Sequence, residues 1–140
     1  MPRMNLRLEV DPATSNRLAQ IRQFGTEPEL LIRKVLRDLR VGYRTNNRLL
    51  PGTPDLANRA KKWAIFVHGC FWHHHKGCKR ATVPRRNREF WVEKFRRNRE
   101  RDARAMRALR RRGYSVVLIW ECQTADRTSI EERLRNALNA

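Results

Sequence analysis

The sequence predicts an α/β protein in which a mixed β-sheet lies between helices. Two continuous apolar runs, at residues 64–67 and 115–120, have the length of strands, and such runs are usually covered by helices on both faces. Amphipathic helical patterns lie before, between and after them. We expect residues 1–25, which carry little hydrophobic period, to form an N-terminal arm. Residues 26–140 are long enough to form one domain with its own core.

The first helix is predicted over residues 26–39. Thr26 and Glu29 match the capping-box pattern, and Pro28 suits the first turn of a helix. An apolar stripe at helical spacing follows, and Gly42 is expected to end the helix.

Three short strands, a long helix, a fourth strand and a last helix are predicted next. The strands are expected at Tyr43–Thr45, Asp55–Ala57, Trp63–Val67 and Ser115–Trp120, and the long helix over Glu89–Arg112. Gly113 is a natural residue to follow the end of a helix. Ser129 and Glu132 give a second capping-box pattern, so the last helix is predicted to begin near Ser129. The order is α-β-β-β-α-β-α, which is typical of a sheet flanked by helices.

The chain is strongly basic. It has 32 Lys and Arg against 14 Asp and Glu, a formal charge of +18. So large an excess of one sign indicates an anionic polymer as partner, most often nucleic acid, whereas a solubilising surface usually mixes signs. Residues 79–112 hold 15 basic and 4 acidic side chains, with aromatics at Phe90 and Trp91. Basic side chains clamp phosphates, and rings stack on bases or wedge between them. The alternative is a solvated helix face.

The cellular setting follows from what the sequence lacks. No segment is long and apolar enough to span a membrane, and no secretory signal pattern opens the chain. The three cysteines are an odd number, which favours metal ligands or free thiols over disulfides. We therefore expect a cytoplasmic, nucleoid-associated protein.

The segment His68–Cys78 is the most informative stretch of the chain. It holds all four histidines, two of the three cysteines and two adjacent aromatics. Together with Cys122 it offers the sulfur and imidazole ligands that tetrahedral zinc prefers. The predicted ligands of one structural zinc ion are Cys70, His75, Cys78 and Cys122. His74 is an alternative to His75, and the competing interpretation of the cysteines is buried thiols without a metal.

Two histidines and two acidic residues are candidates for chemistry. His68 and His73 are not needed by zinc, and a neutral imidazole near its own pKa is a good general base or acid. Asp55 lies at a strand start after a Pro-Gly-Thr-Pro turn, where a carboxylate can bind a hard cation. Turn capping by Asp55 is slightly favoured on sequence alone. Glu29 has the ordinary interpretation of a capping carboxylate.

A set of motifs spread over most of the chain resembles one known family. The motifs are Thr26, Glu29, Pro51-Gly52, Pro54-Asp55, His68-Gly-Cys-Phe-Trp-His-His-His, Val83-Pro84, Glu89-Phe-Trp91, Glu93-Lys94, Asn98, Glu100-Arg-Asp102, Gly113 and Ile119-Trp-Glu-Cys122. They resemble the very short patch mismatch repair (Vsr) endonucleases of prokaryotes. The resemblance implies a restriction-endonuclease-like fold. It also implies a magnesium-dependent, strand-specific nick in double-stranded DNA, beside the thymine of a T:G mismatch left by deamination of 5-methylcytosine.

The resemblance also assigns a role to each candidate residue. Asp55 resembles the magnesium-binding carboxylate, with the backbone carbonyl of Val67 as a further ligand. His68 and His73 resemble the catalytic histidines, and Glu29 the supporting acidic residue. The residues that resemble the structural zinc ligands are Cys70, His75, Cys78 and Cys122. The residues that resemble the intercalating aromatics are Phe71, Trp72 and Trp91.

Restriction-like enzymes usually carry a carboxylate and lysine pair on the strand at 63–67. Here that strand ends in His68, so histidine is expected to take over the proton transfers. We expect the N-terminal arm to contact DNA and the protein to act on DNA as a monomer. A homing or restriction-type endonuclease is one alternative, since it would share every catalytic residue. A zinc-containing DNA-binding protein without catalysis is another, but it would not need Asp55, His68 or His73.

Overall fold

The computed structural model describes residues 26–139, and the predicted N-terminal arm lies outside them. The elements follow the predicted order. They are helix α1 (Glu27–Asp38), strands β1 (Arg44–Thr45), β2 (Leu56–Asn58) and β3 (Trp63–His68), helix α2 (Arg88–Arg111), strand β4 (Ser115–Trp120) and helix α3 (Arg127–Leu138). A short 3-10 helix, which the sequence patterns did not predict, spans Glu121–Ala125 between β4 and α3.

The four strands form one mixed sheet in the order β1-β2-β3-β4. Strands β1, β2 and β3 pair antiparallel, while β3 and β4 pair parallel through the crossover helix α2. Trp63 is the register partner of Ser115, and His68 is the partner of Trp120. The carboxyl ends of β3 and β4 therefore lie side by side, and the predicted α/β fold is confirmed.

Helices cover both faces of the sheet. On one face, α1 and α3 pack on Leu56, Trp63 and Ile65 and on residues of β4. On the other face, α2 contributes Met106 and Leu109 to a second cluster with Ala57, Ala64 and Phe66 of the sheet. Strand β3 is buried along nearly its whole length, which explains its continuous apolar sequence.

Two helix ends differ from the prediction. Helix α1 ends before Gly42, because Arg40 takes the left-handed conformation with φ of 57° and the Val41 N–H donates to the Leu36 carbonyl at 2.9 Å. Helix α3 begins at Arg127 rather than near Ser129. Its N-cap is Asp126, whose side chain accepts from the backbone N–H of Ser129 at 3.1 Å. Asp and Ser are both good caps, so sequence alone could not choose between them.

The turn between β1 and β2 packs tightly against α2. Gly52 has φ of +74°, and a Cβ added there would lie 2.6 Å from the Cβ of Ala105. Only glycine combines this backbone conformation with so close an approach. The turn leads directly into Asp55 and β2, so its packing fixes the position of that carboxylate. None of the helices within residues 26–139 has the length and apolar character needed to cross a bilayer.

Candidate active site and metal site

The candidate site lies at the carboxyl ends of β3 and β4. Cys70 follows His68 by two residues and Cys122 follows Trp120 by two residues, and His68 and Trp120 are register partners. Parallel pairing therefore brings together two cysteines that lie 52 positions apart in sequence. The backbone N–H of Cys70 also donates to the Glu121 carboxylate at 3.4 Å, which ties the two strand ends together.

The four predicted zinc ligands form one cluster. The ligand atoms of Cys70, His75, Cys78 and Cys122 all lie within 4.8 Å of one another. The Nδ1 of His75 is 3.8 Å from the Sγ of Cys70 and 3.5 Å from that of Cys122. Sulfur and nitrogen ligands of one tetrahedral zinc ion lie about 3.5 Å apart. The donor set and its spacing therefore fit a single metal ion.

His75, not His74, belongs to this cluster. The ring of His75 stacks on Trp120 with centroids 4.1 Å apart, and this contact orients its Nδ1 toward the cysteines. His74 turns away and stacks on Phe95 at 4.4 Å. The His74 side chain is partly buried there. Burial, together with the charge of Arg99, lowers the pKa of His74.

A cavity of about 820 Å³ opens beside the metal cluster. Its walls come from the start of α1, the β1–β2 turn, the end of β3, the loop that follows, and α2. The predicted residues Glu29, Asp55, Val67, His68 and His73 all line it. The structure therefore brings together every residue to which the resemblance gives a magnesium or catalytic role.

Asp55 is partly buried in the wall of this cavity. Its Oδ2 accepts a hydrogen bond from the Val67 N–H at 2.7 Å. Burial, and secondarily the charge of Glu29, raises the pKa of Asp55 to about 6. Glu29 is 1 % exposed and its Oε1 accepts from Arg33 at 2.8 Å. The turn-capping interpretation therefore does not describe Asp55, whose side chain contacts the neighbouring strand.

His68 and His73 form a stacked pair with an acidic partner. Their ring centroids are 3.7 Å apart and their planes differ by 6°. The Nδ1 of His73 lies 2.6 Å from the Oδ2 of Asp102, and the Nδ1 of His68 lies 4.0 Å from the same oxygen. Burial, followed by the charges of His73 and Arg101, lowers the pKa of His68 to about 3, which keeps this ring neutral near pH 7.

The geometry of this pair suits proton transfer better than metal binding. The ligand atoms of His68, His73 and Asp102 lie within 4.8 Å of one another. A metal ion binds imidazole in the plane of the ring, however, and the two rings lie in nearly parallel planes with centroids 3.7 Å apart, so one ion cannot lie in both planes. A histidine whose Nδ1 is held by a carboxylate can serve as a general base through its Nε2.

Asp102 is a site residue for which the sequence predicted no role. It lies on α2, four residues after Asn98, whose Nδ2 donates to the Trp72 carbonyl at 3.0 Å. Spacing of four places both on one side of the helix. The sequence therefore contained one indication of this role, namely an acid and an amide on a single face of an arginine-rich helix. No sequence pattern indicated that this face contacts His73.

The three predicted intercalating residues lie in one aromatic cluster. Phe71 contacts Trp72 at 5.3 Å and Trp91 at 6.0 Å between ring centroids. Trp91 is 3 % exposed, whereas Phe71 and Trp72 are only partly buried. The indole Nε1 of Trp72 is buried without a hydrogen-bond partner among the described residues. The cluster thus presents two partly exposed rings, Phe71 and Trp72, that pack on the buried ring of Trp91.

The fold and the site together define a restriction-endonuclease-like nuclease. The sheet, the cavity with its acids and histidine pair, and the Cys and His cluster all meet at one edge of a strongly basic chain. A family model described as DNA mismatch endonuclease Vsr matches residues 10–80. Among similar proteins, a type II nicking enzyme of Xanthomonas oryzae, V.XorIIP, is 38% identical over 122 residues, which is 87% of this chain and 89% of that one.

Further relatives agree. The DNA mismatch endonuclease Vsr of Escherichia coli is 36% identical over 123 residues, 87% of this chain and 78% of its own length. The type II nicking enzyme V.NmeAIP of Neisseria meningitidis is 36% identical over 117 residues, 84% of this chain and 83% of its own. The chain belongs to the DNA mismatch endonuclease Vsr family, and it is an endodeoxyribonuclease.

Proposed function

We propose that this protein cuts one strand of double-stranded DNA beside a T:G mismatch, in a reaction that requires magnesium. One observation carries the proposal: Asp55, His73 and Asp102 line the same cavity, so a cation-binding carboxylate and a paired histidine can act on one phosphate. The cavity is also lined by Arg48, Lys94 and Arg101, whose charges suit an anionic backbone.

Magnesium fits the oxygen donors of the cavity. Asp55 and Glu29 supply carboxylates and Val67 supplies a backbone carbonyl, and magnesium prefers oxygen ligands. When bound, the ion would supply Lewis acidity that offsets negative charge on the phosphate. Zinc is our proposal for the Cys and His cluster, because three thiolates and one imidazole form a closed structural site. Its part is to hold the loop after β3, and with it His73, in place.

His73 is the proposed general base. Because its Nδ1 donates to Asp102, its Nε2 is left as the acceptor for a proton from the attacking water. The Asp102 carboxylate then stabilises the imidazolium that forms. His68 supports the ring of His73 by stacking and offers a neutral imidazole to the reacting groups. The leaving oxygen receives its proton from one of the two histidines or from water.

Mismatch recognition is proposed to use the open rings of Phe71 and Trp72. Inserting a ring between base pairs costs a few kcal/mol of unstacking, and least at a mismatched step. Trp91 is buried, so its part here is to support the other two rings. The mismatch preference draws support from the E. coli relative, which is named a DNA mismatch endonuclease. We propose that one copy of the chain suffices on DNA.

A nicking assay tests the proposal. Duplexes that carry T:G, matched T:A or another mismatch in one flanking sequence are incubated with the zinc-loaded protein, with and without magnesium. We expect one labelled strand to be cut, fastest beside T:G and only with magnesium. Asp55→Ala should abolish cutting while leaving DNA binding mostly intact, because binding depends on the basic side chains. Cutting without magnesium, or an Asp55→Ala protein that cuts at the native rate, would contradict the assignment of a magnesium site to Asp55.

A second candidate function is nicking in the service of a restriction system. Its support is that two of the relatives above carry the name type II nicking enzyme. This role would share the same residues and differ in the flanking sequence that the enzyme prefers. Repeating the assay with the mismatch in a randomised flank distinguishes them, since a narrow flank preference favours the restriction-linked role.

A further inference from the structure

Helix α2 has two halves that differ in how its arginines are paired. In the first half, Arg96 pairs with Glu93 and Glu100, and Arg97 pairs with Glu93 at 3.1 Å. From residue 103 to residue 112 there is no acidic residue. That stretch carries five exposed arginines, at positions 104, 107, 110, 111 and 112, and none of them forms an ion pair within the described part of the chain.

The end of α2 meets a second basic segment. Residues 59–62, in the turn between β2 and β3, include three exposed cations. The Lys62 side chain reaches to 3.9 Å from where a Cβ of Gly113 would lie, and the Lys62 carbonyl accepts from the Ser115 N–H at 2.9 Å. The distal basic cluster is the set Arg59, Lys61, Lys62, Arg110, Arg111 and Arg112.

This cluster lies at the opposite end of the sheet from the cavity. The cavity is at His68, the last residue of β3, whereas Lys62 precedes the first, Trp63. Six strand residues at about 3.3 Å each separate the two ends by roughly 17–20 Å. Along α2, positions 101, 104, 107 and 111 fall on one side of the helix. They form a row of exposed arginines that runs from the cavity to the cluster.

We propose that the distal basic cluster binds backbone phosphates of the same DNA duplex that enters the cavity, about five or more base pairs from the cut. Cations at a helix C-terminus also favour the helix dipole, but that effect is confined to the last turn. It does not explain the cations of residues 59–62 or the row along α2. Duplex DNA carries one charge per about 1.7 Å of its axis, so phosphates are available along the whole length of this row of cations.

The proposal depends on duplex DNA being the substrate and not on a T:G preference. The test therefore measures binding to fully matched duplexes without magnesium. Dissociation constants are measured by fluorescence anisotropy over a range of salt concentrations, for a duplex of about 30 base pairs and a short hairpin duplex of about 4 base pairs. At about 3.4 Å per base pair the short duplex spans less than the distance between the cavity and the cluster, so only the longer can reach both. The variant is Arg110→Gln/Arg111→Gln. Its matched control is Lys34→Gln/Arg37→Gln, which removes the same charge from two exposed cations of α1 on the other face of the sheet.

For the wild type we expect a steeper dependence of log K on log salt for the long duplex. In the variant the slope for the long duplex should become less negative by about 1–2, since each phosphate contact contributes roughly 0.9. Binding of the variant to the short duplex should be nearly unchanged. The control protein should keep the wild-type slope on the long duplex. Arg110→Lys/Arg111→Lys should keep the wild-type slope, and thermal unfolding checks that all variants are folded.

Three results would overturn the proposal. The first is an unchanged slope on the long duplex, which would make the cluster a solvated surface. The second is an equal loss on both duplexes, which would put the arginines inside the footprint of the cavity. The third is a stoichiometry of two duplexes per chain, which would mean that the cluster holds separate DNA. A lack of T:G preference in nicking would affect none of these measurements.

Discussion

A hydrogen bond between a carboxylate of the crossover helix and a histidine of the loop after β3 is central to the site. Asp102 accepts from the Nδ1 of His73 at 2.6 Å, and the ring of His68 stacks on that of His73. Two effects act on the carboxylate of Asp102: burial raises its pKa, but the bond and charge of His73, with His68 and Arg101, lower it overall. At the scale of single residues, the site is thus an anion that orients one imidazole, with a neutral one beside it.

The pairing leads to a prediction about coupled substitutions. His73→Ala should slow nicking by roughly two to four decades, as expected when a general base is lost. Asp102→Asn presents an amide to the ring and favours the wrong tautomer, so we expect a loss of about 10-fold to 1,000-fold. The measurement is the single-turnover nicking rate at saturating DNA and magnesium.

The double variant distinguishes a positioning role from an independent one. If Asp102 acts through His73, then Asp102→Asn should cost little once His73 is Ala. Dissociation constants for DNA should change by less than about threefold in all three proteins, because binding depends mainly on basic side chains. Fully additive losses would show that Asp102 works independently of His73.

At the scale of elements, two structures hold the site in place. The Cys and His cluster joins the loop after β3 to the 3-10 helix after β4, and the β1–β2 turn rests on α2 through Gly52. Both carry a site residue: His73 lies in the loop, and Asp55 follows the turn. Loss of either anchor should therefore affect stability and the positions of catalytic groups together.

Cys122→Ala should remove the bound metal and destabilise the fold. Elemental analysis of the wild type should give one zinc per chain, and the variant close to none. The free energy of unfolding should fall by about 3 kcal/mol or more, because metal binding contributes directly to folding. A chelator should lower the melting temperature of the wild type to that of the variant, without a further effect on the variant. A zinc-free wild type that melts at the same temperature as Cys122→Ala would contradict this.

Gly52→Ala should destabilise the protein more than a glycine substitution elsewhere with similar backbone strain. The added methyl meets Ala105 at 2.6 Å in addition to the cost of the positive φ. We expect a loss of about 2–4 kcal/mol by chemical denaturation. Gly113→Ala is the matched control, since its φ is +85° but its nearest neighbour is the flexible Lys62 side chain at 3.9 Å. Its loss should be about 1–2 kcal/mol, and equal losses would mean that packing at Gly52 is loose.

At the scale of the whole molecule, one edge of the sheet gathers the cavity, the metal cluster and the aromatic cluster. The net charge of +18 provides long-range attraction to DNA, which carries no information about a mismatch. The proposed discrimination between mismatched and matched base pairs therefore has to come from the short-range contacts at this edge. The partly open rings of Phe71 and Trp72 are the apolar groups of the site that are best placed to provide it.

Trp72→Ala should therefore reduce the preference for T:G over T:A more than it reduces stability. The ratio of nicking rates on the two duplexes is measured in one flanking sequence at one salt concentration, since nonspecific binding otherwise masks the effect. Trp72→Phe, which keeps a ring, should retain most of the preference. If Trp72→Ala unfolds the protein, the ring is part of the core. If it lowers the nicking rates on both duplexes equally, the ring contributes to DNA binding without selectivity. Either result excludes insertion of this ring as the source of the T:G preference.

Local sequence patterns were enough to predict most elements and their order. The strand Ser115–Trp120 was predicted with its observed bounds. A short apolar run between a glycine and a polar segment is compatible with few secondary structures other than a buried strand. Predictions failed at helix ends, where Arg40 rather than Gly42 turned the chain and Asp126 rather than Ser129 capped it. Such ends depend on which of several similar local hydrogen bonds the rest of the fold permits.

The sequence by itself determined the candidate residues, because the metal-ligand types, the histidine-rich segment and the basic charge are properties of composition and spacing. The class of the protein came from the resemblance of its motifs to the Vsr family. Only the tertiary structure decided which of these groups meet. Parallel pairing of β3 with β4 brought Cys70 to Cys122, the crossover of α2 brought Asp102 to His73, and the return of α2 joined its basic end to residues 59–62. Each of these contacts joins segments far apart in sequence, so no local pattern could have specified it.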